Sequence, residues 1–259
     1  MPRKTRVSFS ERDNCVDVKL PTSWAELTDE ELRFYFKCQF AVGGDSARFA
    51  LFRHMAHCRV CTITAKDVKL AFNCPDGGHY IWTTPERLAE QLEVLDFLMD
   101  LPKVPVRCAT CGPKKVKAVD AELHGVSFGD YIQIDNAFQG YIASQDPLAV
   151  LEMAVLLYPG YDRNDGINEV DLLNILNWFT SVKLHFARMF PNFFRPAAGV
   201  RDNADLMEQM NNQIRALTGG DITKEDVVFA TDCWRALTEL DAKAKEAEEF
   251  NRRTAKHRK

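Results

Sequence analysis

A chain of 259 residues, 46% of them hydrophobic, is long enough to bury one large core or two modest ones without a staple of disulfides or metal. A charged fraction of 27% and a formal net charge of -4 are ordinary for a soluble protein and favour no class of partner, whether nucleic acid, membrane or acidic substrate. The longest apolar run, Leu148 to Tyr158, is shorter than the ~18 residues of a membrane span and is interrupted by Glu152.

The first residues are polar and basic, with no apolar stretch behind them to make a secretory signal, so a cytoplasmic location is expected. Residues 1–19 read as a flexible basic tail. The eight cysteines are too dilute for a disulfide scaffold and are expected as reduced thiols, serving as core filler or metal ligands.

Residues 20–101 read as a mixed α/β region. Leu20 to Trp24 is extended, and Thr28-Asp29-Glu30-Glu31 is a capping box that opens a helix to about Ala41. Gly43-Gly44 ends it. Asp45-Ser46 begins a second helix whose apolar positions Phe49, Leu51, Phe52 and Met55 recur at helical spacing. From Arg59 to Thr83 the β-prone runs around Val60, Ile63, Val68, Leu70 and Phe72, with a turn at residues 74–78, predict a small hairpin or meander. Thr84-Pro85-Glu86 then opens an amphipathic helix to about Leu101, with Leu88, Leu92, Leu95, Leu98 and Met99 on its apolar face.

Residues 102–124 carry prolines, a Cys-x-x-Cys and the basic residues Lys103, Arg107, Lys114, Lys115 and Lys117, and are expected to be a linker. The rest, residues 125–250, reads as helix. Expected segments run from Ser127 to Ala143, from Pro147 to Pro159, from Ile167 to Phe190, from Ala204 to Leu217 and from Lys224 to Phe250. Thr223-x-x-Asp226 serves as a further capping signal, and a basic tail, 251–259, follows. The fold class expected is mainly α: a bundle-like helical C-terminal region with a small β-hairpin or meander in the N-terminal third.

The sharpest chemical signal is Cys58-x2-Cys61-x12-Cys74-x4-His79, in which two thiolates on a knuckle and a later Cys/His pair could converge tetrahedrally on zinc. A weaker pairing joins Cys58 and Cys61 to Cys108 and Cys111, with His54 and His57 as further nitrogen donors. Asp162-x-Asn164-Asp165-Gly166 resembles a calcium loop, but its glycine falls at position five and Leu173, not a bidentate Glu, stands at position twelve. The pairs Glu30/Glu31 and Glu248/Glu249 read as solvated helix faces, and His124 and His185 lack any acid or nucleophile recognisable in sequence. With no phosphate loop, nucleophile elbow or H-E-x-x-H motif, no enzyme is expected. The basic stretches lack interleaved aromatics, so nucleic acid is not expected as a partner. Phe190, just before Pro191, and Phe193 and Phe194, between Pro191 and Pro196, either plug the core or dock on a partner, and form the candidate partner-binding set.

Four stretches carry a resemblance: Leu20-Pro-Thr-Ser-Trp-Ala-Glu-Leu-Thr; Gly125-Val-Ser-Phe-Gly-Asp-Tyr-Ile with Gly140-Tyr-Ile; Phe186-Ala-Arg-Met-Phe-Pro-Asn-Phe-Phe-Arg-Pro; and Met210 to Lys224, continuing through Cys233-Trp-Arg-Ala-Leu-Thr-Glu-Leu-Asp-Ala-Lys. They resemble uncharacterised proteins encoded in prophages of Bacteroides-like gut bacteria. The resemblance implies a phage morphogenesis protein, a tail assembly chaperone or a minor tail or connector component, acting in the host cytoplasm or in the virion. Its implied partners are other phage structural or assembly proteins, such as a tape-measure protein, with no cofactor. The cysteine pairs lie outside it. The alternative is a zinc-stabilised nucleic-acid-binding or regulatory protein built on Cys58, Cys61, Cys74 and His79.

Overall fold

The structure, a computed structural model, describes residues 4–11, 14–74, 77–194 and 203–257. It is mainly α, with small antiparallel sheets. Contacts divide the chain into two compact units: residues 1–102 with 106–108 and 169–174, and residues 103–105 with 109–168 and 175–259. No helix among the described residues is long and apolar enough to cross a membrane.

The first unit begins with a correction. Residues expected to trail as a loose tail form two antiparallel strands, β1 (Thr5–Glu11) and β2 (Asn14–Leu20), with Phe9 opposite Val16 and Val7 opposite Val18. Alternation decides their fate: Phe9, Val16, Val18 and Leu20 turn inward and are buried, while the charged residues between them, Arg6, Asp17 and Lys19, face water. Two helices follow, α1 (Asp29–Val42) and α2 (Gly44–Met55), joined at Gly43, whose φ of +74° suits a residue without Cβ. The capping box of α1 is complete: Thr28 Oγ1 accepts from the Glu31 amide at 3.2 Å, and the Glu31 carboxylate accepts from the Thr28 amide at 2.9 Å.

The meander is three strands in sequence order, β3 (Cys58–Ile63), β4 (Val68–Cys74) and β5 (Gly77–Thr83), with a bulge in β3 between Val60 and Thr62. The turn expected at 74–78 includes Pro75 and Asp76, which lie outside the described residues. Thr84 caps α3 (Pro85–Leu92), which tightens into a 3-10 segment, Glu93–Met99, rather than continuing as the α-helix expected to Leu101. Phe9 packs on Phe52 and Phe72, with ring centroids 5.3 and 5.4 Å apart, and Leu51, Leu70, Leu95 and Leu98 complete this core. Trp24 anchors the 3-10 segment by donating Nε1–H to the carbonyls of Phe97 at 2.9 Å and Asp100 at 3.0 Å.

The second unit contains a short ladder, β6 (Thr110–Cys111) with β7 (Val116–Lys117), then α4 (Phe128–Ser144), α5 (Pro147–Leu157), most of α6 (Glu169–Met189), α7 (Asn203–Thr218), α8 (Glu225–Ala230) and α9 (Cys233–His257). Residues 102–124 are therefore more than a linker. Cys108 is buried in the core of the first unit, while in the second Cys111 is fully buried, the Val119 amide bonds Leu157 O at 2.9 Å, and Ala121 O accepts from the Trp178 indole at 2.7 Å. Ser127 and Asp146 cap α4 and α5, and Pro147 occupies the first turn of α5. Ile175, Trp178, Phe179, Val182 and Phe186 form the buried stripe of α6 in this unit.

Two further expectations fail here. The helix expected from Lys224 to Phe250 is broken at Thr231-Asp232, because those residues bond elsewhere: Thr231 O accepts from the Phe128 amide at 2.7 Å, Asp232 accepts from the Gly125 amide at 2.7 Å, and the Cys233 amide donates to Val126 O at 2.9 Å. The first turn of α9 then uses Asp232 as its cap, through the Trp234 amide at 3.0 Å. Asp221, not Thr223, caps the 3-10 turn Ile222–Lys224 ahead of α8. The basic tail expected from 251 is helical to His257, while Arg258 and Lys259 lie outside the described residues.

Candidate functional site

The sheet register takes the zinc set apart. Cys58, Phe72 and His79 share one row across β3, β4 and β5, so Phe72 stands between the thiol and the imidazole. Two strand spacings are about 9.5 Å, whereas ligands on one zinc at 2.0–2.3 Å lie roughly 4 Å apart. Cys74 lies opposite Gly77 two positions further along β4, and Cys61 sits exposed at the bulge. Among the described residues no three His, Cys, Asp or Glu side chains are grouped to hold a metal ion, and this includes Cys108, Cys111, His54 and His57. The alternative zinc set of Cys58, Cys61, Cys74 and His79 is not brought together among the described residues.

The thiols instead divide by burial. Desolvation pushes Cys58 up to about 11, against a smaller opposing pull from Arg53, and Cys108 and Cys233 up to about 12. Cys15 and Cys61 are exposed. Brief iodoacetamide treatment at neutral pH, followed by peptide mass spectrometry, is expected to label Cys15 and Cys61 and to leave Cys58, Cys108, Cys111 and Cys233 unmodified until the chain is unfolded. Rapid labelling of Cys108 or Cys233 in the folded protein would contradict this arrangement.

The aromatic segment also splits. Phe190 is buried and edge-on to Phe186 and Trp234, at 5.7 and 5.4 Å, so it plugs the core and drops out of the candidate partner surface. Phe193 and Phe194 are half-buried, edge-on to each other at 4.8 Å, beside a cavity of about 60 Å³ that Tyr131, Asn136 and Met210 also line. Asp241 of α9 fixes the segment, accepting from the Asn192 and Phe193 amides at 2.7 and 2.9 Å. Pro196 lies outside the described residues.

The histidines gain a partner invisible in sequence. Glu122 Oε2 stands 3.6 Å from His124 Nε2 and 3.8 Å from His185 Nε2, and Trp234 stacks on His124 at 4.5 Å while donating Nε1–H to Glu122 O at 2.6 Å. The Cys233 thiol donates to Leu123 O at 3.3 Å and is held protonated by burial, so it is no nucleophile at neutral pH. The arrangement packs α9 against residues 122–126. In the calcium-like loop, Lys114 lies 3.2 Å from Asp162 and 3.4 Å from Asp165, and the Asn164 amide bonds Asp162, so the carboxylates are occupied within the chain.

A further concavity of the second unit lies elsewhere, a groove of about 420 Å³ lined by Leu217 of α7, Val228 of α8, Thr231, and Arg235, Ala236 and Glu239 of α9. The turn and helix that form this corner expose Ile222 by 77% and Val227 by 68%. The break at Thr231-Asp232 creates it, since a continuous 224–250 helix would have no corner there. Sequence reasoning missed it for that reason. Comparison of the chain with family models, with curated proteins and with solved structures returns no match.

Proposed function

We propose that this is a phage morphogenesis protein that works by binding other phage proteins, in the class of tail assembly chaperones or minor tail or connector components. The observation that carries the reading is the apolar corner of α7, α8 and α9. It exposes Ile222 and Val227 on the turn and short helix whose Val228 lines an open groove, within the stretch 210–243 that carries much of the resemblance to prophage proteins. Exposed aliphatic side chains on the same short elements as a groove between helices suit an amphipathic helix of a partner, which would set its apolar face against them. A tape-measure protein, long and helical, is a partner of that chemistry. The setting would be the host cytoplasm during assembly, with or without retention in the virion.

The test is co-purification of the full chain with the structural proteins encoded beside it, using wild type and the double variant Ile222→Ser/Val227→Ser. Burying one aliphatic side chain contributes about 1.5–3 kcal/mol, so losing two anchors is expected to weaken capture of a defined phage partner at least about a hundredfold. Both residues are exposed, so the melting transition should move by little, on the order of 0.5 kcal/mol per site. Equal capture by wild type and variant, or no binding to any of the phage proteins, would remove the proposal.

A further inference from the structure

The outer face of the meander brings basic and aromatic side chains together. Cross-strand register puts Arg59 of β3, Ala71 of β4 and Tyr80 of β5 in one row, and Thr62, Lys69 and Trp82 in the next. Inward-facing Leu70, Phe72 and Ile81 are buried, so these two rows face away from the core. Tyr80 is 48% and Trp82 41% exposed, although both are large rings with apolar faces. Lys69 Nζ lies 4.7 Å over the Tyr80 ring and 5.3 Å over the Trp82 ring. None of the three strands contains an acidic residue; Asp67 and Asp76 fall between strands in the sequence.

We infer that this sheet face, through Tyr80 and Trp82 as stacking platforms and Arg59 and Lys69 as phosphate contacts, binds single-stranded nucleic acid. Two chemistries have to be matched at once. The positive charges with no acid in their strands call for an anion, and two planar rings two positions apart on one strand, about 6.6 Å along it, call for flat apolar rings repeated at a similar step. A single strand offers both, with bases that can splay out on aromatic side chains while the backbone tracks the cations. A duplex hides its base faces. An acidic peptide satisfies the cations and leaves the two rings uncovered. The site lies in the first unit and does not rest on the α7–α9 corner, so either proposal can fail without the other.

The experiment is fluorescence anisotropy of labelled oligothymidylate and oligouridylate of about ten nucleotides, with a duplex of the same length as control, titrated with the full chain at several salt concentrations. Single strands are expected to bind more tightly than duplex, and log K against log salt should have a slope near −1.4 for two phosphate contacts. Tyr80→Ala and Trp82→Ala should each weaken binding about 5- to 150-fold, while Trp82→Phe, which keeps a ring, should retain most of it. Arg59→Gln and Lys69→Gln should each flatten the salt slope by about 0.7. Arg59→Gln is exposed and leaves the core untouched, so it reads the site even if a ring variant fails to fold. Three results would overturn the inference: no binding of either single strand at low salt, binding indifferent to Arg59→Gln and to the ring variants, or sedimentation showing self-association through this face that Trp82→Ala abolishes. The last would assign the face to a second copy of the chain.

Discussion

Trp178→Ala is expected to destabilise the protein by about 3–5 kcal/mol, the range for emptying a fully buried large aromatic site. The side chain has no exposed surface, lies edge-on to Tyr158 at 5.9 Å and donates its indole N–H to Ala121 O at 2.7 Å. Truncation therefore removes apolar contact, opens a cavity and leaves a carbonyl without its donor. At roughly 2–4 °C per kcal/mol for a body of this size, the midpoint should fall by about 6–20 °C in thermal unfolding followed by circular dichroism. Trp178→Phe refills part of the volume without restoring the hydrogen bond, and should lie between wild type and Ala. A Trp178→Ala protein within about 1 kcal/mol of wild type would show that α6 and residues 118–122 do not depend on each other as drawn.

The parts of the fold that sequence reasoning places correctly are those specified locally. Thr28 with Glu31, Thr84 with Pro85, Ser127, and Asp146 with Pro147 each start a helix where expected, because a cap needs only its own next three residues. Gly43 and the Gly219-Gly220 pair adopt positive φ at helix ends for the same local reason. The β1–β2 hairpin was legible in principle, since Val7, Phe9, Val16, Val18 and Leu20 alternate with polar residues. The charges at the intervening positions, Arg6, Asp17 and Lys19, give that stretch the look of a solvated tail, whereas they are only its outer face. The break at Thr231-Asp232 contains neither Gly nor Pro, and its local signal is a single cap, Asp232 on the Trp234 amide. It follows from bonds to Gly125, Val126 and Phe128, about a hundred residues earlier, which no window of sequence displays.

The candidate sites follow the same division. Cysteine spacing suggested convergence, but whether ligands converge depends on strand register, and here Phe72 occupies the place between Cys58 and His79. The basic and aromatic residues of the outer sheet face are scattered over residues 59–82 and make no run. The bulge between Val60 and Thr62 changes the inward–outward parity of β3, so even a reader who had found the strands would have assigned Thr62 to the wrong side. Phe190, Phe193 and Phe194 were found by composition, and only packing separates the first from the other two. Glu122, the neighbour of both His124 and His185, carries no motif at all.

Asp171→Ala tests what holds the first turn of α6 to α1 within the first unit. Asp171 is 1% exposed and lies 3.2 Å from Arg33, which also reaches Asp29 at 3.1 Å. Its position in the first turn of α6 adds a favourable interaction with the helix N-terminus. Removing one partner of a buried pair costs about 3–5 kcal/mol, because the other charge keeps its desolvation penalty without its compensation. Arg33 is 31% exposed and keeps Asp29, which puts the expected loss near 3 kcal/mol. The double variant Arg33→Leu/Asp171→Leu discriminates between two accounts of that loss. If the cost is an orphaned charge, exchanging both partners for apolar side chains of similar bulk recovers most of the stability, and the double variant unfolds in urea at a higher midpoint than Asp171→Ala. If the pair contributes net attraction that packing cannot replace, the double variant is at least as unstable as the single one, and the ion pair is itself a source of stability.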